Sequence, residues 1–212
     1  AGVADDNGFG SGYGFTNTSF AGQTFTPAVS GTLTRVDAFI FCASCSGANP
    51  NMILEVRTTS GGNPVMTAGG LLATATIPGT SSGSGGNFIF NYASPATLTA
   101  GTQYGLVIRL AAARTGTQAW LSSSGSVYAG GRRKVCTTAS CSNPTGANND
   151  SDLIFKTYMN TGYAASGNLV SSIKDANPAT GSTAVWTTIS WNGTTPVNTT
   201  LRFQVAASTV LG

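Results

Sequence analysis

Four cysteines fall as two close pairs, Cys42-Ala43-Ser44-Cys45 and Cys136 with Cys141, and their spacing is the first thing in this chain that could do chemistry. Each pair lies in a Gly/Ser/Thr-rich stretch, and two local disulfides are the expected state. Rings this short remove little chain entropy, about 2 kcal/mol for each bridge against about 4.7 for a hundred-residue loop, so such bridges fasten loops rather than hold a fold. A four-cysteine zinc site is the rival arrangement, weakened by the wide second spacing and the lack of other ligands in either segment. A thioredoxin-like redox role for the first pair would need a βαβ setting that the surrounding pattern does not offer.

Histidine is absent, and seven Asp or Glu stand against ten Lys or Arg. Without imidazole the usual general base, the Ser-His-Asp relay and the commonest metal ligand disappear together. A glycosidase needs two carboxylates facing across a cleft. Asp150 and Asp152 are close in sequence, but nothing around them shapes an acid, and Glu55 is the sole glutamate. A Lys, Tyr or Arg base has no motif to support it, so no catalytic residues are assigned and no enzyme is expected. A net charge of +3, thinly scattered, is too weak to hold nucleic acid.

The aromatic residues offer another handle. Trp120, Tyr128, Trp186 and Trp191 have the side chains from which a flat platform for sugar rings is built, with burial in the core as the alternative for each. Arg132-Arg133-Lys134 follows Gly130-Gly131 and leads into Cys136, which predicts a cystine-pinned loop. Arg132 is its candidate contact to an anionic glycan or to a partner's carboxylates, and a solvated loop is the plainer alternative.

The elements that must position these residues read as strands. Apolar side chains alternate in short runs broken by Gly, Pro, Asn and Ser, with no helix-length stripe of 3.6-residue period. Strands are expected at 22–26, 31–41, 52–59, 71–77, 87–92, 103–110, 119–122 and 152–159, and again at 184–191 and 199–207. The period is explicit in Leu54-Glu55-Val56-Arg57 and in Leu201-Arg202-Phe203-Gln204-Val205. Turn chemistry separates them at Ser60-Gly61-Gly62-Asn63-Pro64 and Asn143-Pro144-Thr145-Gly146. The expected fold is all-β, a jelly-roll-like two-sheet sandwich over residues 1–163, with a strand-bearing C-terminal extension at 164–212.

That extension holds only two good strands, and a lone hairpin is marginal in water. Its apolar side, Leu201, Phe203 and Val205, must be buried against its own sandwich, a following module or a neighbouring molecule. A strand of this kind adds to an exposed sheet edge through main-chain hydrogen bonds. Repeated head to tail without closure, such addition builds a filament. No apolar run is long enough to span a bilayer. The start, Ala1-Gly2-Val3-Ala4-Asp5-Asp6, lacks the features of a signal peptide, as expected of a chain already processed. Asn17, Asn149, Asn192 and Asn198 stand in glycosylation sequons.

Several stretches carry a family pattern: Gln23-Thr24-Phe25-Thr26, Gly31-Thr32-Leu33-Thr34-Arg35-Val36-Asp37, residues 54–64, Leu98-Thr99-Ala100-Gly101-Thr102-Gln103-Tyr104-Gly105-Leu106-Val107 and Asp152-Leu153-Ile154-Phe155-Lys156-Thr157-Tyr158. Over residues 20–160 the chain resembles the β-sandwich modules of bacterial secreted and cell-surface proteins called choice-of-anchor domains. Residues 172–175, Trp186-Thr187-Thr188-Ile189-Ser190-Trp191 and 199–205 are similar to the opening strands of another such module. The resemblance implies a sandwich at the bacterial cell surface, where modules bind carbohydrate or serve surface display, and fold alone decides neither. It also raises calcium as a cofactor, for which Asp5-Asp6-Asn7, Asp37 and Asn148-Asn149-Asp150-Ser151-Asp152 supply oxygens, with turn hydrogen bonding as the alternative.

The expected function is therefore that of a non-enzymatic extracellular structural or adhesive protein. It would be a subunit of a surface filament or layer whose partners are copies of itself. The alternative is a carbohydrate-binding module of a larger secreted enzyme or adhesin, with polysaccharide as partner.

Overall fold

Along residues 52–57 the two-residue alternation sends Met52, Leu54 and Val56 into a core where each is fully buried, and turns Glu55 and Arg57 to the other face. Repeated along the chain, this pattern gives two antiparallel sheets with apolar faces together. A computed structural model describes residues 9–81, 85–123, 128–145, 151–162, 188, 190 and 200–204. The chain divides into two compact units, Ala1–Ala164 and Ala165–Gly212.

In the first unit the strands are β1 (Phe9–Phe15), β2 (Ser19–Phe25), β3 (Gly31–Ser46), β4 (Met52–Ser60), β5 (Asn63–Pro64), β6 (Leu71–Ile77), β7 (Gly85–Leu98), β8 (Tyr104–Leu110), β9 (Thr115–Ser123), β10 (Arg133–Thr137), β11 (Cys141–Ser142) and β12 (Phe155–Asn160). One short 3₁₀ turn, Ala68–Gly70, interrupts them. The first sheet runs β1-β9-β3-β7, and the second runs β2-β8-β4-β6. Strands 1 to 4 thus nest antiparallel against strands 9 to 6, which is the pairing of a jelly roll, and the expected fold class is the one observed.

Three additions enlarge the plan. β10 and β11 extend the second sheet beyond β2, and β5 forms a small hairpin with the end of β4. β12 pairs with β3 over Thr32 to Ala38, on the same edge that β9 occupies from Ile40 to Ser46. β9 and β12 therefore lie end to end, joined where Ser122 bridges Leu153 and where the Ile154 amide donates to the Leu121 carbonyl at 2.8 Å. Along β3 the buried parity switches from Leu33 to Val36, Ala38 and Ile40. The switch coincides with register slips against both β7 and β12, the effect of a bulge.

The main core contains Trp120, Phe15, Phe25, Phe90, Leu106 and Ile108 among its buried members. A second, smaller cluster of Phe20, Met66, Val107, Cys136 and Cys141 lies on the outer face of the second sheet. Residues 63–70 fold over this face, and Gly105 permits it, because a Cβ there would strike the Pro64 ring. Bridges join Cys42 to Cys45 and Cys136 to Cys141, and the described residues hold no free cysteine. One pair belongs to β3 and the other to the β10–β11 hairpin, so the four sulfurs do not converge as the zinc alternative requires.

Candidate functional site

The outer face of the first sheet collects polar groups around one carboxylate. Arg35 and Asp37 sit two residues apart on β3 and so share a face. Arg35 grips Asp37 with two hydrogen bonds, Nε to Oδ1 at 2.6 Å and a terminal nitrogen to Oδ2 at 2.7 Å. The Tyr158 hydroxyl on β12 donates to the same Oδ2 at 3.0 Å, and Asn87 on β7 donates at 3.3 Å. Burial pushes the Asp37 carboxyl up, but the hydrogen bonds from Arg35, Tyr158 and Asn87 outweigh it and leave the group below its ordinary value. Around the Tyr158 ring stand two cations, the Arg35 guanidinium at 4.4 Å and the Lys156 ammonium at 5.2 Å from its centroid. Exposed Ile89 lies opposite Asp37 on the neighbouring strand.

The outer face of the second sheet is occupied differently. Arg57 and Arg109 donate through Nε to the two oxygens of Glu55, at 2.7 and 3.0 Å. Arg57 also reaches the Val65 and Thr67 carbonyls, which ties residues 63–70 down over the sheet. Lys134 donates to the side-chain oxygens of Asn63 at 2.9 Å and Asn143 at 2.6 Å. These groups hold a flap in place, and burial pushes the Lys134 ammonium below its ordinary value, with Arg132 adding to the effect.

Among the described residues, the sequence-derived glycan contacts Trp120 and Tyr128 do not form a platform. Trp120 is fully buried between the sheets and spends its Nε1 hydrogen on the Ile154 carbonyl at 2.8 Å. Tyr128 is half-buried, edge-on to Phe155 at 5.4 Å, with its hydroxyl held by the Thr26 backbone. Both rings act as core and rim because the apolar ledge between the sheets needs their area more than solvent does. Arg132 is exposed, with its backbone paired to Thr24. The expected loop is instead strand β10, in which Arg133 and Lys134 are 3% and 5% exposed. Arg133 lies over the Tyr13 ring at 3.1 Å. Trp186 and Trp191 lie outside the described residues.

Of the oxygens offered to calcium, those of the two described carboxylates are committed. Asp37 is taken as described above. Asp152 is 1% exposed, accepting from Gln23 Nε2 at 2.8 Å and from the Tyr128 amide at 2.9 Å. Gln23 in turn accepts from the Leu153 amide, so Asp152 locks the return of the chain onto β12. Asp5, Asp6, Asn7 and Asn148 to Asp150 lie outside the described residues. No metal-binding group of His, Cys, Asp or Glu occurs among the described residues.

The remaining feature is the set of sheet edges. β11 is two residues long within a disulfide ring, β12 carries Lys156, β1 contains three glycines, and β7 contains Pro95. Each is a recognised way to blunt an edge. β6 differs: Leu-Leu-Ala-Thr-Ala-Thr-Ile carries no charge, Gly or Pro, its one irregularity is a register slip at Leu72 against β4, and among the described residues only β4 pairs with it. Leu71 and Leu72 are 41% and 37% exposed at its start.

In the second unit, Thr200 to Gln204 are exposed and form no strand, contrary to the expected strand at 199–207. Leu201 is 48% exposed and Phe203 51%, while Val205 lies outside the described residues. The sequence reading missed Lys156 and Tyr158 as partners of Arg35 and Asp37, because only the pairing of β12 with β3 brings them together. No helix among the described residues is long and apolar enough to cross a membrane. Comparison with protein-family models, curated proteins and solved structures finds no match.

Proposed function

We propose that this chain is a non-enzymatic, extracellular structural protein of the bacterial surface, a subunit that joins copies of itself into a filament or layer through its terminal β-strand segment. The observation carrying the proposal is the exposure of Leu201 and Phe203 in a segment whose alternation belongs in a sheet. Local disulfides suit an oxidising compartment. The described carboxylates are engaged in structure: Asp37 with Arg35, Glu55 with Arg57 and Arg109, Asp152 with Gln23. Electron microscopy and sedimentation of the intact chain test the reading. Fibres or sheets that vanish in a Leu201→Asp, Phe203→Asp chain are expected, and a monomer that persists at high concentration overturns it.

A second reading, a carbohydrate-binding module, is favoured by the first sheet's outer face. Tyr158 with Arg35, Lys156 and Asn87 gathers an aromatic ring, cations and an amide on one flat surface. Retention on insoluble polysaccharide, lost in Tyr158→Ala, supports this reading, and indifference to a broad glycan panel removes it.

A further inference from the structure

The proposed assembly supplies a donor segment but leaves open which edge receives it. We infer that the receiving edge is β6, and that its occupant is residues 199–205 of a second copy of this chain; the inference rests on the strand-assembly reading above.

Four observations point to this pairing. The other edges described above are each shortened, charged, glycine-rich or interrupted by proline, whereas β6 is seven residues long and carries no charge, Gly or Pro, with a single register slip at Leu72 near its start. Residues 199–205 match that length. The inward side chains of β6 are Ala73, Ala75 and Ile77, two of them the smallest that a strand can offer. Phe88 of β7 and Ile77 are left only partly covered at this margin of the core.

An added antiparallel strand would extend the second sheet beyond β6. Its alternate side chains Leu201, Phe203 and Val205 would fall on the inward side, beside Ala73, Ala75 and Ile77, where the alanines leave room for them. Arg202 and Gln204 would fall on the outward side with the exposed Thr74 and Thr76. Main-chain hydrogen bonds then supply affinity and the inward side chains supply register, as in strand addition generally. Donor and acceptor are different surfaces of one chain, so the contact is heterologous and each joined copy still presents a donor and an edge.

Full-length variants test the assignment. Thr76→Pro removes an amide from the β6 edge, and Thr74→Lys with Thr76→Lys places two charges on it at exposed positions, which keeps the test valid if the proline unfolds the chain. Leu201→Asp with Phe203→Asp disables the donor. Thermal melts establish that each variant is folded, and sedimentation reads assembly. The unaltered chain should assemble, each disabled chain should remain monomeric, and an equimolar mixture of acceptor-disabled and donor-disabled chains should stop at dimers. Acceptor variants that assemble like the unaltered chain overturn β6 while leaving strand assembly standing. Donor variants that assemble normally overturn the occupant. An unaltered chain that stays monomeric, including by folding its tail onto its own edge, overturns the inference together with the reading beneath it.

Discussion

Trp120 donates its indole hydrogen to the Ile154 carbonyl oxygen at 2.8 Å, across a sequence separation of 34. The bond fastens the end of β9 to the start of β12 inside the core, where an unpaired indole N–H would cost about 1 to 3 kcal/mol. Trp120→Ala removes the largest fully buried side chain and this bond together. Chemical denaturation should show a loss of about 3 to 5 kcal/mol. Trp120→Phe should lose less, the difference reporting the hydrogen bond and the smaller ring.

The Glu55 site gives a charge prediction. Arg57 is 7% exposed and Glu55 4%, so Glu55→Gln leaves a buried guanidinium without its anion. Removing one partner of such a pair costs about 3 to 5 kcal/mol. Replacing Glu55 and Arg57 together with apolar residues should cost less than Glu55→Gln alone, and urea titrations of the two variants measure the comparison.

Asp37 makes stability depend on pH in a stated direction. Its folded-state carboxyl is held below the ordinary value, so the unfolded chain binds more protons in that range and stability rises with pH. The contribution is fully present above the ordinary aspartate value of about 4 and is lost as pH falls through the folded value. Midpoints of thermal unfolding should therefore fall on acidification below about pH 4, and Asp37→Asn should flatten the part of that fall due to this group.

Removal of the Cys136–Cys141 bridge by Cys136→Ser and Cys141→Ser should lower stability by about 2 kcal/mol without unfolding the sandwich, because the ring spans a sequence separation of only 5. Circular dichroism and urea melts separate loosening from collapse. Loss of the whole cooperative transition would show that the second apolar cluster, to which both cysteines belong, holds the fold itself.

Two glycines make a paired control. A Cβ at Gly131 would collide with the Thr24 backbone, whereas one at Gly86 meets nothing within 4 Å. Gly131→Ala should destabilise by at least about 1 kcal/mol, the scale of overpacking, and Gly86→Ala should change stability by no more than about 0.5. Melting temperatures of the two variants decide it.

Much of the sandwich was legible in the sequence because alternation is a local signal. The strand at 71–77 was read with its observed bounds, and Leu54-Glu55-Val56-Arg57 showed its two faces at once. β1 was not legible, since Phe9-Gly-Ser-Gly-Tyr-Gly-Phe15 has the composition of a loop. It is a strand because β9 pairs with it, and because Gly12 leaves space for the Phe41 ring where a Cβ would clash. β10 was hidden by its charges, which β2 and the 63–70 flap bury and satisfy from elsewhere in the chain. Trp120 looks alike in sequence whether it faces sugar or core, and only the opposing sheet decides. The polar cluster at Asp37 draws on three strands, with Asn87 at a sequence separation of 50 and Tyr158 at 121, a proximity that no local pattern carries.

The collinear placement of β9 and β12 also says how this molecule departs from an eight-strand plan. The chain leaves one strand line after Ser123 and rejoins the same line at Leu153, so the described residues 128–145 between them are a graft at a single joint. β10, β11 and their bridge widen one sheet without disturbing a single pairing of the nested eight. The insert is thus carried by the far sheet, while the seam closed by Trp120 holds the two halves of the strand line together as if it had never been cut.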